Sequence, residues 1–331
     1  MSIQRRRFIG SLVLLVGGSG RSGSVIAQGD VFPSRTVKLV VPFPPGGSND
    51  VVGRAVAQKL STQWGQPVIV DNRSGAGGNL GAAQVARAPA DGYTLLVVAN
   101  NFVINPTLYA EGKAGYDPVR DFKPISLLAR VPILLLVNPQ LPVQTVGELI
   151  ALAKSKPGQL SYASAGIGTP HHLSAELFKR LAGIEMTHVP YRGAVPAATD
   201  LISGQVQVLF GVANSVLPLV KKGLLRPLGV CGETRLADLP QVPRVAETRG
   251  LESFQSEVWI GLVAPAALSD SLRERLHRDI VGALADPALR KTLASQDLTV
   301  ESSSPQRLAS VMADDMARWA RVIRDTGARA E

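Results

Sequence analysis

Short runs of β-branched and aliphatic residues, apolar on both faces, recur along the chain and alternate with stretches whose apolar residues return every three or four positions. The first pattern marks buried parallel strands, the second helices that lie on them. Strands are predicted at 36–43, 67–72, 93–99, 132–138, 160–164, 206–211, 225–231 and 256–265. Helices fall between them, among them "DVVGRAVAQKLSTQW", "GELIALAKS" and "HHLSAELFKRLAG". Near the C-terminus the pattern turns wholly helical, in "SDSLRERLHRDIVGALAD", "PALRKTLASQ" and "PQRLASVMADDMARWARVIRDTG". Ser or Pro opens each of these three, as helix starts favour. Strand–helix alternation of this kind builds an α/β fold, with mostly parallel sheets flanked by helices.

Residues 1–27 break the pattern. Arg5, Arg6 and Arg7 precede an apolar stretch from Phe8 to Val16, Gly17, Gly18 and Gly20 end it, and Val25 and Ala27 flank a cleavage point before Gln28. That is the layout of a secretory signal. The arginine run followed by Phe8 and Ile9 also fits a twin-arginine signal, so export to the periplasm by the Sec or twin-arginine route is expected. Cys231 is the lone cysteine, which excludes an internal disulfide and a cysteine metal cluster and suits a bacterial periplasm. No later apolar run reaches membrane-span length, so the mature chain is expected to be soluble and monomeric.

Without its signal the chain is long enough for two domains. Short crossovers are predicted at "ARVP" (129–132) and "LESFQS" (251–256), which makes residues 28–129 plus 256–331 one lobe and residues 130–255 a second, inserted lobe. Two crossovers imply a hinge and a cleft. The formal net charge is +9, part of it in Arg5, Arg6, Arg7 and Arg21 ahead of the cleavage point. The remaining positive balance suits an anionic ligand or solubility, and no Lys/Arg block marks a nucleic-acid partner.

Two strand–loop–helix junctions hold the candidate chemistry. "PFPPGGSND" (42–50) follows the first strand, and "YASAGIGTPHHL" (162–173) ends another at Gly166 and Gly168, with Thr169 and Pro170 placed to start a helix. Glycine lets backbone approach a ligand, and the free N–H groups at a helix start attract anions. One such loop reads as an ordinary corner; two, one in each inferred lobe, point to a shared anion site. No lysine follows Gly46, Gly47 or Gly168 as a phosphate loop requires. A dinucleotide fingerprint on Gly75 and Gly77 fails at Leu80, and "GAGG" reads as a turn plus close helix packing. A nucleophile elbow at Ser164 would need glycine in place of Tyr162. Adjacent His171 and His172 point to different helix faces and cannot chelate one metal in the i, i+4 manner. His188, ahead of "VPYRG", has a place from which it could line the cleft, a packed or surface histidine being the simpler reading, and Asp314–Asp315 reads as a solvated helix face. No catalytic constellation, metal site or cofactor motif emerges.

"VVPFPPGGSNDVVGR", "VDNRSGAGGNLGAAQVARAPADGYTLL", "YDPVRDFKPISLLA", "GQLSYASAGIGTPHHLSAELFKRLAGIEMTHVPYRG" and "WIGLVAPAAL" together resemble the substrate-binding receptors of tripartite tricarboxylate transporters, the Bug family, over essentially the whole mature chain. The resemblance implies a two-lobed periplasmic binding protein of type II, a Venus flytrap that closes on a small organic carboxylate and delivers it to a two-component membrane permease. By the same resemblance the first ligand loop comprises Phe43, Pro44, Pro45, Gly46, Gly47 and Ser48, with Asp50 bracing it. The second comprises Ser164, Ala165, Gly166, Gly168 and Thr169, with His172. Pocket walls are expected from "NNFVIN" (100–105), chiefly Asn101 and Phe102, from Tyr191 and from Gly211, which stands where the family commonly has an aspartate. That departure favours a plain carboxylate over an amino acid. An orphan sensor for a signalling partner and an exported hydrolase using the same cleft are the alternatives.

Overall fold

The computed structural model describes residues 32–110, 112–191 and 193–330; the expected signal segment lies outside the described residues. β1 (Val37–Val41), β2 (Val68–Asn72) and β3 (Thr94–Ala99) lead into α1 (Ser48–Trp64), α2 (Asn79–Ala86) and α3 (Asn100–Leu108). After β4 (Phe122–Val137) and α4 (Val146–Ser155) come β5 (Ser161–Ser164), β6 (Thr187–Pro190) and β7 (Val208–Val212), each followed by its helix. Those helices are α5 (Pro170–Ala182), α6 (Ala194–Ser203) and α7 (Ala213–Lys221). β8 (Arg226–Val230), β9 (Glu257–Pro265), α8 (Asp270–Leu284), α9 (Pro287–Ala294), β10 (Thr299–Val300) and α10 (Pro305–Thr326) complete the chain.

The strands lie in the order β2-β1-β3-β9-β4-β7-β5-β6, with β8 and β10 also paired to β4. β1 pairs in parallel with β2 and β3, as β5 does with β6 and β7. Every pairing of β4 is antiparallel, and so is that of β9 with β3. The sheet is therefore mixed rather than mostly parallel. The cause is that β4 and β9 carry the chain between the two lobes in opposite directions.

β4 is one unbroken strand of 16 residues. From Phe122 to Pro132 it pairs with β9, and from Ile133 to Val137 with β7. The "ARVP" stretch, expected as a crossover loop, thus lies inside a strand. The first ten residues of β4 escape the apolar pattern because Lys123, Pro124 and Arg130 interrupt it. Pro124 sits at a register shift in the β4–β9 ladder, where a missing N–H does least harm. Beside the crossing, Arg130 is tied to both Glu257 and Glu301.

α10 covers the back of this crossing and packs on both α3 and α5. Arg180 of α5 meets Asp325 of α10 at 2.8 Å. Asp315 is buried, contrary to the solvated face expected for the Asp314–Asp315 pair; only Asp314 is exposed. Its carboxylate accepts hydrogen bonds from Asn100 Nδ2 at 2.8 Å and Trp259 Nε1 at 2.7 Å, while Asn100 Oδ1 accepts from the Trp259 backbone N–H at 3.1 Å. Three elements, α3, β9 and α10, are thereby locked behind the cleft.

Asp315→Ala would leave Trp259 Nε1 without an acceptor and Asn100 Nδ2 with only the Glu257 carbonyl, each lost bond worth roughly 1–3 kcal/mol. The substitution is expected to lower the unfolding free energy in urea by about 2–4 kcal/mol, whereas Asp314→Ala should change it by less than about 0.5 kcal/mol. Equal effects would remove Asp315 from this role.

Candidate functional site

Parallel strands end at one edge, and the helices that follow begin there. α1, α2 and α3 start at the C-terminal ends of β1, β2 and β3, and α5, α6 and α7 at those of β5, β6 and β7. The two edges meet: Asn214 Nδ2, in the first turn of α7, donates to Ser48 Oγ at the start of α1, 2.9 Å away. Gly168 faces Leu108 at the end of α3 so closely that a Cβ there would overlap the leucine side chain. Backbone at Gly168 also has φ +76°, a conformation in which side chains are strained. Glycine is required twice over at that point.

Apart from α5, which Thr169 caps through a long bond, the helix starts at these edges differ from those elsewhere. α4, α8, α9 and α10 are capped by the side chains of Thr145, Ser269, Asp286 and Ser304. α1, α2, α3, α6 and α7 begin at Gly47, Gly78, Ala99, Gly193 and Val212 with no side-chain cap. A helix start leaves N–H groups without an intrahelical partner, and the helix dipole adds positive potential there. Five uncapped starts at the meeting edges make this the natural seat for an anion.

The first loop is held from below. Asp50, buried in the first turn of α1, accepts from Gly46 N–H at 2.9 Å, Arg54 Nε at 2.8 Å and Asn72 Nδ2 at 2.9 Å. Asn72 Nδ2 also donates to the Phe43 carbonyl at 3.1 Å. Burial opposes the Asp50 charge, but hydrogen bonds from Arg54, Gly46 and Asn72 together hold its carboxyl below the ordinary value. Pro44, Pro45, Gly46 and Gly47 are exposed at the tip, and Phe43 rests against the core. Gly47 is extended, φ −78°, and a Cβ there would meet only the Pro44 carbonyl, at 4.0 Å.

The second loop is tied at both ends. Ser164 is buried, and its Oγ lies 2.7 Å from His188 Nε2 and 3.2 Å from Gly166 N. Thr169 Oγ1 donates to the Gly166 carbonyl at 2.7 Å and accepts a long bond, 3.5 Å, from His172 N–H. Ala165 and Gly166 remain half-buried between these anchors. Burial pushes the His172 imidazole down to about 4. It pushes the Cys231 thiol up, so that cysteine is an inert core residue. Among the described residues no cluster of His, Cys, Asp or Glu could hold a metal, and no helix is long and apolar enough to cross a membrane.

Three expected wall residues sit elsewhere. Phe102 is buried in an aromatic cluster, stacked on Tyr116 at 5.1 Å and edge-on to Phe122 at 5.0 Å. Its neighbour Asn101 is the half-buried one, and its amide holds the Gly77 carbonyl. The Tyr191 ring packs against the outer core of the second lobe with its hydroxyl on Asp200 at 2.7 Å, leaving its backbone at the loop, with the N–H donated to the Ser164 carbonyl at 3.0 Å and the carbonyl beside Gly166. Gly211 is buried inside β7, where a Cβ would stand 2.7 Å from Val216 Cγ1 and 3.0 Å from Leu136 Cδ1. These residues alternate onto core faces, a fact the strand and helix register decides and composition does not.

The site also holds groups not singled out from the pattern. The Gly75–Gly78 turn lies beside the first loop, since a Cβ at Gly78 would crowd Asn101 and Pro42. Asn105 Nδ2 adds bonds to the Gly77 carbonyl, 3.0 Å, and Asn79 Oδ1, 2.6 Å. Asn214 is another, and nothing in the sequence signals it, whereas Asn105 falls within the expected "NNFVIN" wall and His188 at a position read as able to line the cleft.

A family model described as "Tripartite tricarboxylate transporter family receptor" matches residues 52–328. The chain is 34% identical to Protein BugT of Bordetella pertussis over 323 residues, 98% of each chain. Among solved structures, that of R. palustris Rpa4515 with adipate superposes with a TM-score of 0.78 at 36% identity, covering 89% of this chain and 98% of the other. MatC from Rhodopseudomonas palustris, with bound malate, gives 0.75 at 32% identity, covering 88% and 100%.

Because Val216 and Leu136 already fill the space beside Gly211, Gly211→Asp is expected to destabilise the fold by about 2 kcal/mol or more through overpacking and burial of an unpaired carboxylate. Chemical denaturation measures it. An unchanged midpoint would place the side chain in open space instead.

Proposed function

The chain belongs to the tripartite tricarboxylate transporter receptor family, and on that premise we propose that it is a periplasmic receptor that captures a small organic carboxylate between its lobes and delivers it to a two-component membrane permease. The observation that carries this reading is the contrast in helix capping. Side chains close the helix starts remote from the cleft and leave open five of the six at the meeting edges, α5 with its long Thr169 cap being the exception. One carboxylate oxygen pair suits the N–H groups of Gly47, Ser48 and Asn49, with the 164–169 loop reaching it from the other side. No arginine lies in either loop, so recognition rests on backbone donors rather than a bidentate guanidinium clamp. The bound adipate and malate of the Rhodopseudomonas relatives support a di-acid as ligand.

We place the lobe boundaries where β4 passes from β9 to β7 and where the chain returns before β9, close to residues 130 and 256. A ligand that contacts both edges stabilises the closed arrangement by what it gains there and not in the open one. The reading is of a receptor and not an enzyme. The side chains that could serve as base or nucleophile, Ser164, His172 and His188, are engaged in holding a loop.

A melting-temperature panel of adipate, malate, putrescine and glucose tests the proposal. At about 100 times its dissociation constant a ligand adds roughly 2.7 kcal/mol to stability. Shifts with a dicarboxylate alone are expected; a shift with putrescine or glucose and none with either acid would overturn the reading. Gly47→Asp gives a sharper test, because aspartate at a helix N-cap accepts the N–H groups the ligand would use. The variant should melt at or above the wild-type temperature and lose dicarboxylate binding; retained binding would take the α1 start out of the site.

A further inference from the structure

Beneath the second loop lies a stack of three rings. His188 of β6 stacks on His172 of α5, ring centroids 4.2 Å apart and planes 15° apart. Its cross-strand neighbour Tyr162 of β5 stacks on it as well, at 4.8 Å and 13°. The Tyr162 hydroxyl donates to Glu176, which also receives Lys179 Nζ at 2.8 Å. The polar atoms of the two imidazoles are turned to the loop. His188 Nε2 meets Ser164 Oγ at 2.7 Å, and His172 Nδ1 accepts the Gly168 N–H at 3.1 Å. Ser164 and Gly168 are the first and last residues of "SAGIG". One imidazole therefore fastens each end of the same five-residue segment.

We propose that His172 and His188 are positioning residues for ligand binding, a stacked pair that sets the 164–168 backbone in the conformation offered to the bound anion. The proposal rests on the carboxylate reading for the identity of that anion, but not for the existence of the pair. Its chemistry is specific. Nδ1 of His172 accepts, so its ring proton is on Nε2, and a protonated ring would turn a second donor against Gly168 N–H. Two stacked cations would also repel each other. The groups facing His172 are Tyr162 from β5, His188 from β6, and Glu176 and Lys179 from its own helix. Burial is the main force keeping His172 neutral, the His188 charge acts the same way, and Glu176 opposes both.

An unfolded imidazole titrates near 6.5 and the folded His172 near 4. The unfolded chain thus binds more protons between these values, and the ordering supplied by the neutral ring is complete above about pH 6.5 and lost as pH falls toward 4. His171 is also buried, with both ring nitrogens unpartnered and its imidazole likewise pushed down to about 4. Global acid unfolding therefore mixes the two histidines, and the informative readout is local to the loop.

The test is amide hydrogen exchange at Gly168, read by NMR on the full mature chain, together with adipate and malate titrations. His172→Phe keeps a ring and removes the acceptor; His172→Asn restores an oxygen close to the Nδ1 position. Gly168 exchange is expected to quicken about tenfold in the first and to stay near wild type in the second, with dicarboxylate affinity following the same order. His188→Phe and His188→Gln should behave likewise at Gly166, whose N–H donates to the Ser164 Oγ that His188 holds. In the wild type, nitrogen shifts should show His172 Nδ1 unprotonated at pH 7, with Gly168 protection falling as pH drops below about 6. A protonated Nδ1, or Gly168 protection unchanged in His172→Phe, would overturn the proposal even if a variant folds poorly, because the first result needs no variant. Loss of protection in a wild-type chain that binds neither acid would uphold the pair's role and count against the carboxylate reading instead.

Discussion

A helix start leaves several N–H donors that must find an acceptor, and this fold distributes that need unevenly. Where helices face solvent or pack on the outer layers, Thr145, Ser269, Asp286 and Ser304 supply an oxygen within the chain. At the edge where the lobes meet, Thr169 of α5 makes one long cap bond, and Gly47, Gly78, Ala99, Gly193 and Val212 supply none. Stability is given up locally, and an unsatisfied positive potential is concentrated where α1 and α7 touch through Ser48 and Asn214. The remaining site features serve to keep those donors in place without filling them. Asp50 holds the first loop from beneath, and Thr169, His172 and His188 hold the second.

The scaffold behind the cleft holds the two edges face to face. β4 runs unbroken from its antiparallel pairing with β9 into its pairings with β7 and β8, so the lobes share a continuous strand rather than a flexible linker. Arg130 with Glu257 and Glu301, and Asp315 with Asn100 and Trp259, fix the strands and α10 at the crossing. Asn100 is also the first residue of α3, one position before the Asn101 that holds the glycine turn. Packing at the back and geometry at the front are therefore mechanically connected through a single helix start.

Much of this was legible in the chain, and what was not has physical reasons. Apolar runs located β1, β3, β5, β7 and β9 because those strands are buried on both faces, and the glycine loops announced the two junctions. β6 was invisible, since Thr187, His188, Val189 and Pro190 are half-exposed or exposed and carry no apolar pattern. The first half of β4 was hidden by Lys123, Pro124 and Arg130, and with it the mixed character of the sheet. Side-chain direction was the weakest inference. Phe102, Tyr191 and Gly211 lie near the site in sequence, yet register turns their side-chain positions to the core. Asp315 goes the other way: it looks like surface in the sequence, yet it serves a bond made only by tertiary folding.

The central claim is that a carboxylate is held by backbone donors at two opposed helix starts. The most direct measurement is the set of amide proton and nitrogen shifts of the mature chain as adipate or malate is added. Gly47, Ser48 and Asn49 should move together with Gly166 and Thr169, with one shared saturation curve. Saturable binding that leaves these amides in place and shifts side-chain signals elsewhere would contradict it.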